Sequence, residues 1–161
     1  MLQSNEVDFV ICSTPLAEDK NFESQVLRHE ICNIIYPKGH WLADRETVTL
    51  KELEQEAFIT APPGYAIRDQ IDWHFECAGI VPNYMIESTD TYNIPNFVEQ
   101  GLGIAFVPQF FLRNNKELEK QSIEVSEPRC AGEVTLTWKK DRYLNQSCQI
   151  FRDFIVKYFD S

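Results

Sequence analysis

Hydroxyl, glycine and aromatic residues occur in three loops that could bind a small anion. Ser13 and Thr14 follow an apolar run, the loop 60–68 follows a second run, and the segment 88–91 follows a third and precedes a helical pattern. Ligands of open α/β sheets bind beyond the carboxyl ends of strands, where helix N-termini offer free amides. Small hydroxyls beside such amides suit a carboxylate or another small anion. The sequence therefore predicts a small-molecule site built from these loops.

The sequence lacks the spacings that mark the common catalytic and metal sites. The histidines His29, His40 and His74 form no HxH or HxxxH pair, and the five cysteines form no CxxC pair. No GxSxG elbow, phosphate loop or dinucleotide fingerprint occurs. We therefore expect neither enzyme activity nor a cofactor or metal. We interpret His40 as structural and place His74 on a helix surface.

The composition excludes several classes of partner. The chain has a net charge of −10 and an isoelectric point near 4.7. Nucleic-acid binding and anionic membrane surfaces both call for clustered Lys and Arg, so neither is expected of this chain. No apolar run reaches the roughly 20 residues of a membrane span, and the first residues do not resemble a signal peptide. We expect a cytoplasmic protein whose cysteines are free and mostly buried.

The elements that would position the loops follow an α/β pattern. In the segment 88–110, Asp90 or Thr89 caps a helix, and Gly101 ends it. The run 104–107 then reads as a buried parallel strand that Pro108 terminates. A buried strand is also predicted at 7–11. Further predictions are strands at 58–59 and 84–87, a strand pair at 22–37, a helix ending at Ala78, and a closing amphipathic helix at 144–159.

The order and spacing of these segments resemble the effector-binding domain of LysR-type transcriptional regulators. Similar motifs are E-S-x-D…V-x-x-G-x-G-I-A-x-V-P in the segment 88–110 and I-R-x-x-I-D-x-x-F-x-x-A-G-I-x-P before it. The chain ends with V-x-L-x-W…F-x-x-F-I-x-x-x-F, which is similar to the end of the family's domain. The resemblance extends from Val7 to Phe159.

The resemblance implies a two-lobed α/β fold of the type II periplasmic-binding-protein class. Residues 1–29 and 132–161 would form the first lobe, and residues 30–131 the second. In the family, the segment that matches Val7–Ile11 comes late in the first lobe, so we expect that lobe to be incomplete. The DNA-binding helix-turn-helix of the family is likewise expected outside this chain.

The resemblance also implies a function and a set of site residues. The family senses a small effector in the cleft between lobes and thereby controls DNA binding, and its sensor domains form homodimers or tetramers. Phe97 or Val98 is expected near a dimer face. Arg68 could pair with a carboxylate through two hydrogen bonds, although a helix-surface arginine is often merely solvated. The ligand-binding residues predicted in this way are Ser13, Thr14, Pro63, Gly64, Tyr65, Ile67, Arg68 and Thr91.

Two alternatives remain open at the level of sequence. One is a stand-alone solute-binding protein with the same architecture, against which the missing signal peptide argues. The other is a cysteine-based redox sensor of the LysR family, in which a reactive cysteine precedes L-R-D-Q. Here Ala66 occupies that position before I-R-D-Q. Cys77 lies two positions beyond the place of the second cysteine, and we expect it to be a buried packing residue.

Overall fold

A computed structural model describes residues 1–13 and 20–160 of the 161-residue chain. Within these ranges the strands are β1 (Phe9–Cys12), β2 (Phe22–Ile35), β3 (Thr47–Thr49), β4 (Ala57–Thr60), β5 (Asn83–Glu87), β6 (Ala105–Pro108), β7 (Ser122–Glu127) and β8 (Ala131–Lys139). The helices are α1 (Ala66–Ala78), α2 (Ile94–Glu99), α3 (Gln109–Arg113), α4 (Lys116–Glu119) and α5 (Gln146–Asp160). No helix of the described ranges is long and apolar enough to cross a membrane.

The chain divides into two compact units. Unit 1 comprises Met1–His29 and Gly132–Ser161, and unit 2 comprises Glu30–Ala131. Strands β2 and β8 each carry the chain from one unit to the other. The ranges coincide with those expected for the two lobes, but the identity of the units as those lobes stays a prediction.

Unit 1 consists of β1, β8, the first part of β2 and α5. Strand β1 pairs antiparallel with β8, so that Phe9 lies opposite Trp138, and β8 also lies beside β2. The α5 residue Phe151 contacts Phe9, with ring centroids 5.8 Å apart. The predicted strand pair at 22–37 is wrong, because one continuous 14-residue strand, β2, occupies this region.

Unit 2 places three strand ends at one edge. Strands β4 and β5 are parallel, and Ile104, just before β6, forms a parallel bridge with Phe58 of β4. The carboxyl ends of β4, β5 and β6 therefore lie at the same edge. On its other side β6 pairs antiparallel with β2, as β7 does, so only one neighbour of β6 is parallel as the sequence predicts.

Local sequence signals explain where several elements of unit 2 begin and end. Thr49 and Glu52 form the reciprocal hydrogen bonds of a capping box at the short 3-10 helix Leu50–Leu53. Gly79 ends α1 with a φ of 68°, which favours glycine. Gly103 has a φ of 153°, and a Cβ at this position would lie 2.5 Å from the carbonyl oxygen of Ala57. Glycine at 103 therefore allows the close approach to β4.

The core of unit 2 contains two groups of buried side chains. In the larger group, the ring centroid of Phe58 lies 5.0 Å from that of Phe75 and 6.0 Å from that of Phe106. The smaller group packs α2 and α3 against β4 and β6, and it includes Val98. Because Val98 is 1% exposed, it packs in the core, and only the partly buried Phe97 could contribute to a dimer face.

Helix α1 corrects two expectations about its surface. His74, predicted to be on the surface, is buried because it lies about 60° from Ile71 around the helix. Cys77, predicted to be buried, is exposed because it lies about 200° from Phe75. Of the five cysteines only Cys32 and Cys130 are buried, so the expectation of mostly buried thiols is also wrong.

Candidate functional site

A cavity of about 200 Å³ opens at the edge where β4 and β6 end. We call it the edge cavity, and all of its lining residues belong to unit 2. Thr60 and Ala61 contribute from the end of β4, and Ile67 and Ile71 contribute from the first two turns of α1. The site lies where open α/β sheets bind their ligands, since it is at the carboxyl ends of parallel strands.

The remaining wall of the edge cavity comes from two helix starts and a strand end. Thr91 contributes from the 3-10 turn that leads into α2, Ile94 from the first position of α2, and Phe106 from β6. Phe110 and Phe111 of α3 add aromatic surface. The lining is therefore mainly aliphatic and aromatic, with a few hydroxyl groups.

The helix starts beside the edge cavity differ in their capping. Asp90 caps the 3-10 turn at Thr91–Asn93, and its carboxylate accepts a hydrogen bond of 3.2 Å from the amide of Tyr92. At α1, the N-cap residue Tyr65 makes no side-chain capping hydrogen bond. A negative charge thus already lies at the start of the Thr91 turn, which disfavours a second anion there.

Thr60 carries a buried hydroxyl at the edge cavity. The residue is 4% exposed, and its Oγ1 has no hydrogen-bond partner within the described part of the chain. Buried hydroxyls are rarely unsatisfied in native proteins, because the desolvation of an unpaired polar atom costs free energy. The oxygen itself is inaccessible to solvent, so the edge cavity as it stands does not reach it.

Arg68 lies beside the edge cavity but is engaged by other groups. Its Nε donates to both carboxylate oxygens of Asp72 at 3.0 and 2.8 Å, and its Nη1 donates to Glu87 at 2.7 Å and to the Ala61 carbonyl at 3.1 Å. The guanidinium also lies 3.9 Å from the ring centre of Tyr84. Arg68 thus joins α1, β5 and the loop after β4.

The partners of Arg68 are themselves linked. The Tyr84 hydroxyl donates a short hydrogen bond to Asp72. Burial and this hydrogen bond raise the pKa of the Tyr84 phenol, so it stays protonated and keeps donating. We call the four side chains of Arg68, Asp72, Tyr84 and Glu87 the Arg68 network. It holds the α1 end of the site in place.

The predicted site residues are distributed unevenly around the edge cavity. Ile67 and Thr91 line it. Pro63, Gly64 and Tyr65 lie in the exposed loop before α1 and are not among the lining residues. The role of these residues and of Arg68 in ligand binding stays a prediction. The structure gives Arg68 the partners described above.

Two of the predicted ligand-binding residues, Ser13 and Thr14, belong to the unit 1 part of the chain. Ser13 is exposed at the end of β1. Thr14 lies outside the described residues. Their predicted contribution to an effector site therefore stays a prediction.

The sequence analysis missed most of the lining of the edge cavity. Ile71, Ile94 and Phe106 read as ordinary core residues, because apolar periodicity does not distinguish a packed core from a cavity wall. The predicted loop 60–68 does include the lining residues Thr60 and Ala61, because it follows a strand, which is where ligands of such sheets bind.

The metal-ligating side chains of residues 1–13 and 20–160 are dispersed rather than clustered. No group of three or more metal-ligating side chains lies together there. Burial raises the pKa of Cys32 and of Cys130 to about 12, so neither is a thiolate at neutral pH. His40 accepts from the Leu42 amide and contacts Glu56 at 3.3 Å, which supports its structural interpretation.

The fold and the edge cavity together define a class of protein. An α/β domain with an apolar cavity at the carboxyl edge of parallel strands is built to bind a small molecule. The chain belongs to the LysR substrate binding domain family, whose model matches residues 1–160. The predicted family and the predicted type II periplasmic-binding-protein-like fold class are thereby confirmed.

Curated relatives of the chain are transcriptional regulators, which are not enzymes. The uncharacterized HTH-type transcriptional regulator YybE of Bacillus subtilis (strain 168) is 35% identical over 126 residues, which are 78% of this chain and 42% of that protein. The transcriptional dual regulator GltC of the same organism is 22% identical over 98% of this chain and 53% of its own length. The chain thus spans about half the length of these relatives.

Solved structures with the same fold include two ligand complexes. The effector-binding domain of QuiR in complex with shikimate matches with a TM-score of 0.85 at 19% identity, over 99% of this chain and 75% of that one. The regulatory domain of Synechocystis PCC6803 CcmR in complex with 2-PG matches with a TM-score of 0.86 at 20% identity, over 99% and 77%. At this level of identity the likeness establishes the fold.

Proposed function

We propose that this chain is the effector-sensing part of a LysR-type transcriptional regulator and that a small effector binds at the edge cavity. The observation that carries the proposal is the preformed cavity at the carboxyl ends of β4 and β6, which two predicted site residues, Ile67 and Thr91, help to line. The ligand complexes of QuiR and CcmR support small-molecule sensing in domains of this fold.

DNA binding is assigned to another part of the regulator. With a net charge of −10, this chain lacks the basic surface that binding to DNA phosphates requires. The relative YybE is an HTH-type transcriptional regulator, which favours a regulator over a stand-alone solute-binding protein. The effector would act by binding one of two conformations more tightly, in a cytoplasmic homodimer or tetramer. The segment 91–100 is a candidate for pairing.

The redox alternative has less support than effector sensing. Ala66 occupies the position at which redox sensors of the LysR family have a reactive cysteine. Cys77 is exposed and therefore does not act as a buried packing residue. An exposed thiol is not by itself a sensor. Iodoacetamide labelling of the native chain measures its reactivity, and labelling no faster than a free thiol is the expected result.

The proposal is tested by a thermal-shift screen of the chain with small carboxylates, amino acids and aromatic compounds. A ligand at 100 times its dissociation constant should raise the free energy of unfolding by about 2.7 kcal/mol. Ala61→Leu and Ile67→Trp add bulk at the edge cavity and should abolish the shift. Val81→Trp adds similar bulk at a side chain that is 89% exposed and does not line the cavity, so it should keep the shift.

A specific result would contradict the location of the site. If a ligand stabilises both cavity variants as much as the unmodified chain, then it binds elsewhere. The effector site would have to be sought outside the edge cavity.

A further inference from the structure

Arg68 lies almost buried beside the edge cavity, yet it does not line it. The residue is 8% exposed, and it is not among the described residues that form the cavity wall. Its neighbours on α1, Ile67 and Ile71, both belong to that wall. Because successive residues of a helix differ by about 100° in direction, Arg68 lies on the adjoining face of α1. The contacts on that face show what this buried charge does.

The first contact joins α1 to the loop after β4. Nη1 of Arg68 donates a hydrogen bond of 3.1 Å to the carbonyl oxygen of Ala61. Ala61 is 1% exposed and forms part of the cavity wall. A buried carbonyl that loses its donor costs free energy, so this bond favours one position of Ala61 against α1. Arg68 thereby links the part of the wall at Ala61 to the part at Ile67.

The second contact joins α1 to the end of β5. Nη1 of Arg68 also donates to Oε1 of Glu87, the last residue of β5, at 2.7 Å. The amide of the next residue, Ser88, donates to the carbonyl of Thr60 at 2.9 Å. The 3-10 turn that contributes Thr91 to the cavity wall begins three residues later. Glu87 therefore connects the part of the wall at Thr91 to α1 through Arg68.

Two further partners hold the guanidinium in one orientation. Nε donates to both carboxylate oxygens of Asp72 at 3.0 and 2.8 Å, and the guanidinium lies 3.9 Å from the ring centre of Tyr84. The N–H groups of Nε and Nη1 are thus all engaged with the protein. A planar guanidinium meets several partners in fixed directions, whereas a lysine ammonium is a point charge on a flexible stem. The site therefore depends on the shape of Arg68 as well as on its charge.

We propose that Arg68 is a positioning residue of the edge cavity, which fixes the walls at Ala61, Ile67 and Thr91 relative to one another without lining the cavity. The inference rests on the proposed function, because it concerns the same site. It replaces the expected pairing of Arg68 with a ligand carboxylate: Arg68 acts on a ligand through the walls that it holds.

The first test measures amide hydrogen exchange in the whole chain without a ligand. Arg68→Ala should accelerate exchange about tenfold or more at the amide of Ser88 and at that of Asp69 in the first turn of α1, because the charged hydrogen bonds that hold both segments are lost. The Tyr36 amide, which donates to the carbonyl of Gln121 at 3.1 Å, is the reference and should change less.

Val125→Ala is the matched control for a general loss of stability. Val125 is fully buried in the larger core group of unit 2, and it neither lines the edge cavity nor belongs to the Arg68 network. Removing its two methyl groups therefore destabilises the fold without removing a contact of Arg68. This variant should not accelerate exchange at Ser88 and Asp69 relative to Tyr36.

Two milder variants separate the contacts of Arg68. Arg68→Lys keeps the charge without the planar fork, so it should restore the protection of Ser88 only in part. Glu87→Gln weakens the second contact alone and should accelerate exchange at Ser88 more than at Asp69. If Arg68→Ala does not fold, these two variants still test the inference.

The second test uses xenon as a probe of the space between the walls. Xenon enters apolar protein cavities, and the methyl NMR signals of Ile67, Ile71 and Ile94 report on this one. Arg68→Ala should weaken xenon binding at least about twofold, because walls that move apart lose dispersion contacts with the bound atom. Val125→Ala should leave xenon binding unchanged.

Three results would overturn the inference. The first is an Arg68→Ala chain in which Ser88 and Asp69 exchange no faster relative to Tyr36, and the second is the same selective acceleration in Val125→Ala. The third is xenon binding that Arg68→Ala does not weaken. Failure of the proposed function looks different: xenon then shifts none of the three methyl signals in the unmodified chain, while hydrogen exchange still decides the role of Arg68.

Discussion

The two units of the molecule bury their aromatic side chains to different degrees. In unit 2, Phe58 and Phe75 are each 1% exposed and pack edge to face. In unit 1, the α5 residues Phe154 and Tyr158 are 60% and 64% exposed, although their rings stack on each other. Chemically similar residues therefore contribute to a core in one unit and to a surface in the other.

The difference shows which part of the chain holds the site rigid. The walls of the edge cavity belong to unit 2, whose two buried groups pack directly behind them. Preorganised packing of this kind reduces the cost of ordering side chains when a ligand binds. Substitutions of the same residue type should consequently have larger effects in unit 2 than in unit 1.

The largest contrast is expected between two phenylalanines. Phe58→Ala should lower the free energy of unfolding by about 3–5 kcal/mol, because it removes a fully buried ring and leaves a cavity. Phe154→Ala should change it by no more than about 0.5 kcal/mol, as is usual for surface substitutions. Urea denaturation of both variants measures the contrast. If both substitutions lowered the free energy of unfolding equally, the exposed face of α5 would be buried against other groups in solution.

Substitutions of two arginines should differ less in their effect on the free energy of unfolding than the two phenylalanine substitutions do. Arg68→Ala should cost about 2–3 kcal/mol, because it removes hydrogen bonds to Asp72, Glu87 and the buried carbonyl of Ala61. Arg152 pairs with the exposed Asp153, and Arg152→Ala should cost no more than about 1 kcal/mol. The same denaturation assay applies. A cost for Arg68→Ala as small as that for Arg152→Ala would show that the Arg68 network contributes little.

The smallest contrast concerns two histidines that differ in burial. Burial lowers the pKa of His74, whose two ring nitrogens have no hydrogen-bond partner among the described residues. The unfolded chain therefore takes up this proton first, and the free energy of unfolding should fall as the pH drops below about 6.5. One such group contributes at most about 1.4 kcal/mol per pH unit. His74→Leu should flatten that fall.

The matched control for His74 is His29, whose side chain is 77% exposed. His29→Gln should change the free energy of unfolding at pH 7 by no more than about 0.5 kcal/mol, as is usual for surface substitutions. Urea midpoints of both variants measured between about pH 7 and pH 5 provide the test. A slope that His74→Leu does not change would contradict the assignment.

Much of the fold was predictable because its signals are local. The capping box at Thr49 and Glu52, the end of α1 at Gly79 and the cap at Asp90 each depend on residues within a few positions of each other. Helix α1 shows where local reasoning fails. Ile71 and Phe75 define its buried stripe, but the sequence does not specify how wide that stripe is, so His74 was placed on the wrong side.

The candidate site was less predictable than the fold because it depends on contacts between distant residues. Ile67 and Thr91 were identified from loops at strand ends, and both line the edge cavity. Arg68 read as a helix-surface residue, because its partner Glu87 lies 19 positions away and joins it only after β5 pairs with β4. Thr60 belonged to the predicted loop 60–68, but no pattern in the sequence shows that its hydroxyl is buried.

In the sequence, unit 2 lies between the two segments of unit 1, and this order has a practical consequence. Unit 2 is one uninterrupted stretch, Glu30–Ala131, and near its two ends the amide of Cys32 donates to the carbonyl of Cys130 at 2.8 Å. Adjacent termini are the condition under which a domain tolerates excision, circular permutation or insertion into a host protein. We therefore expect residues 30–131 to be clonable as a single fragment that carries the whole edge cavity, or to be accepted as an insertion in a loop of a reporter protein.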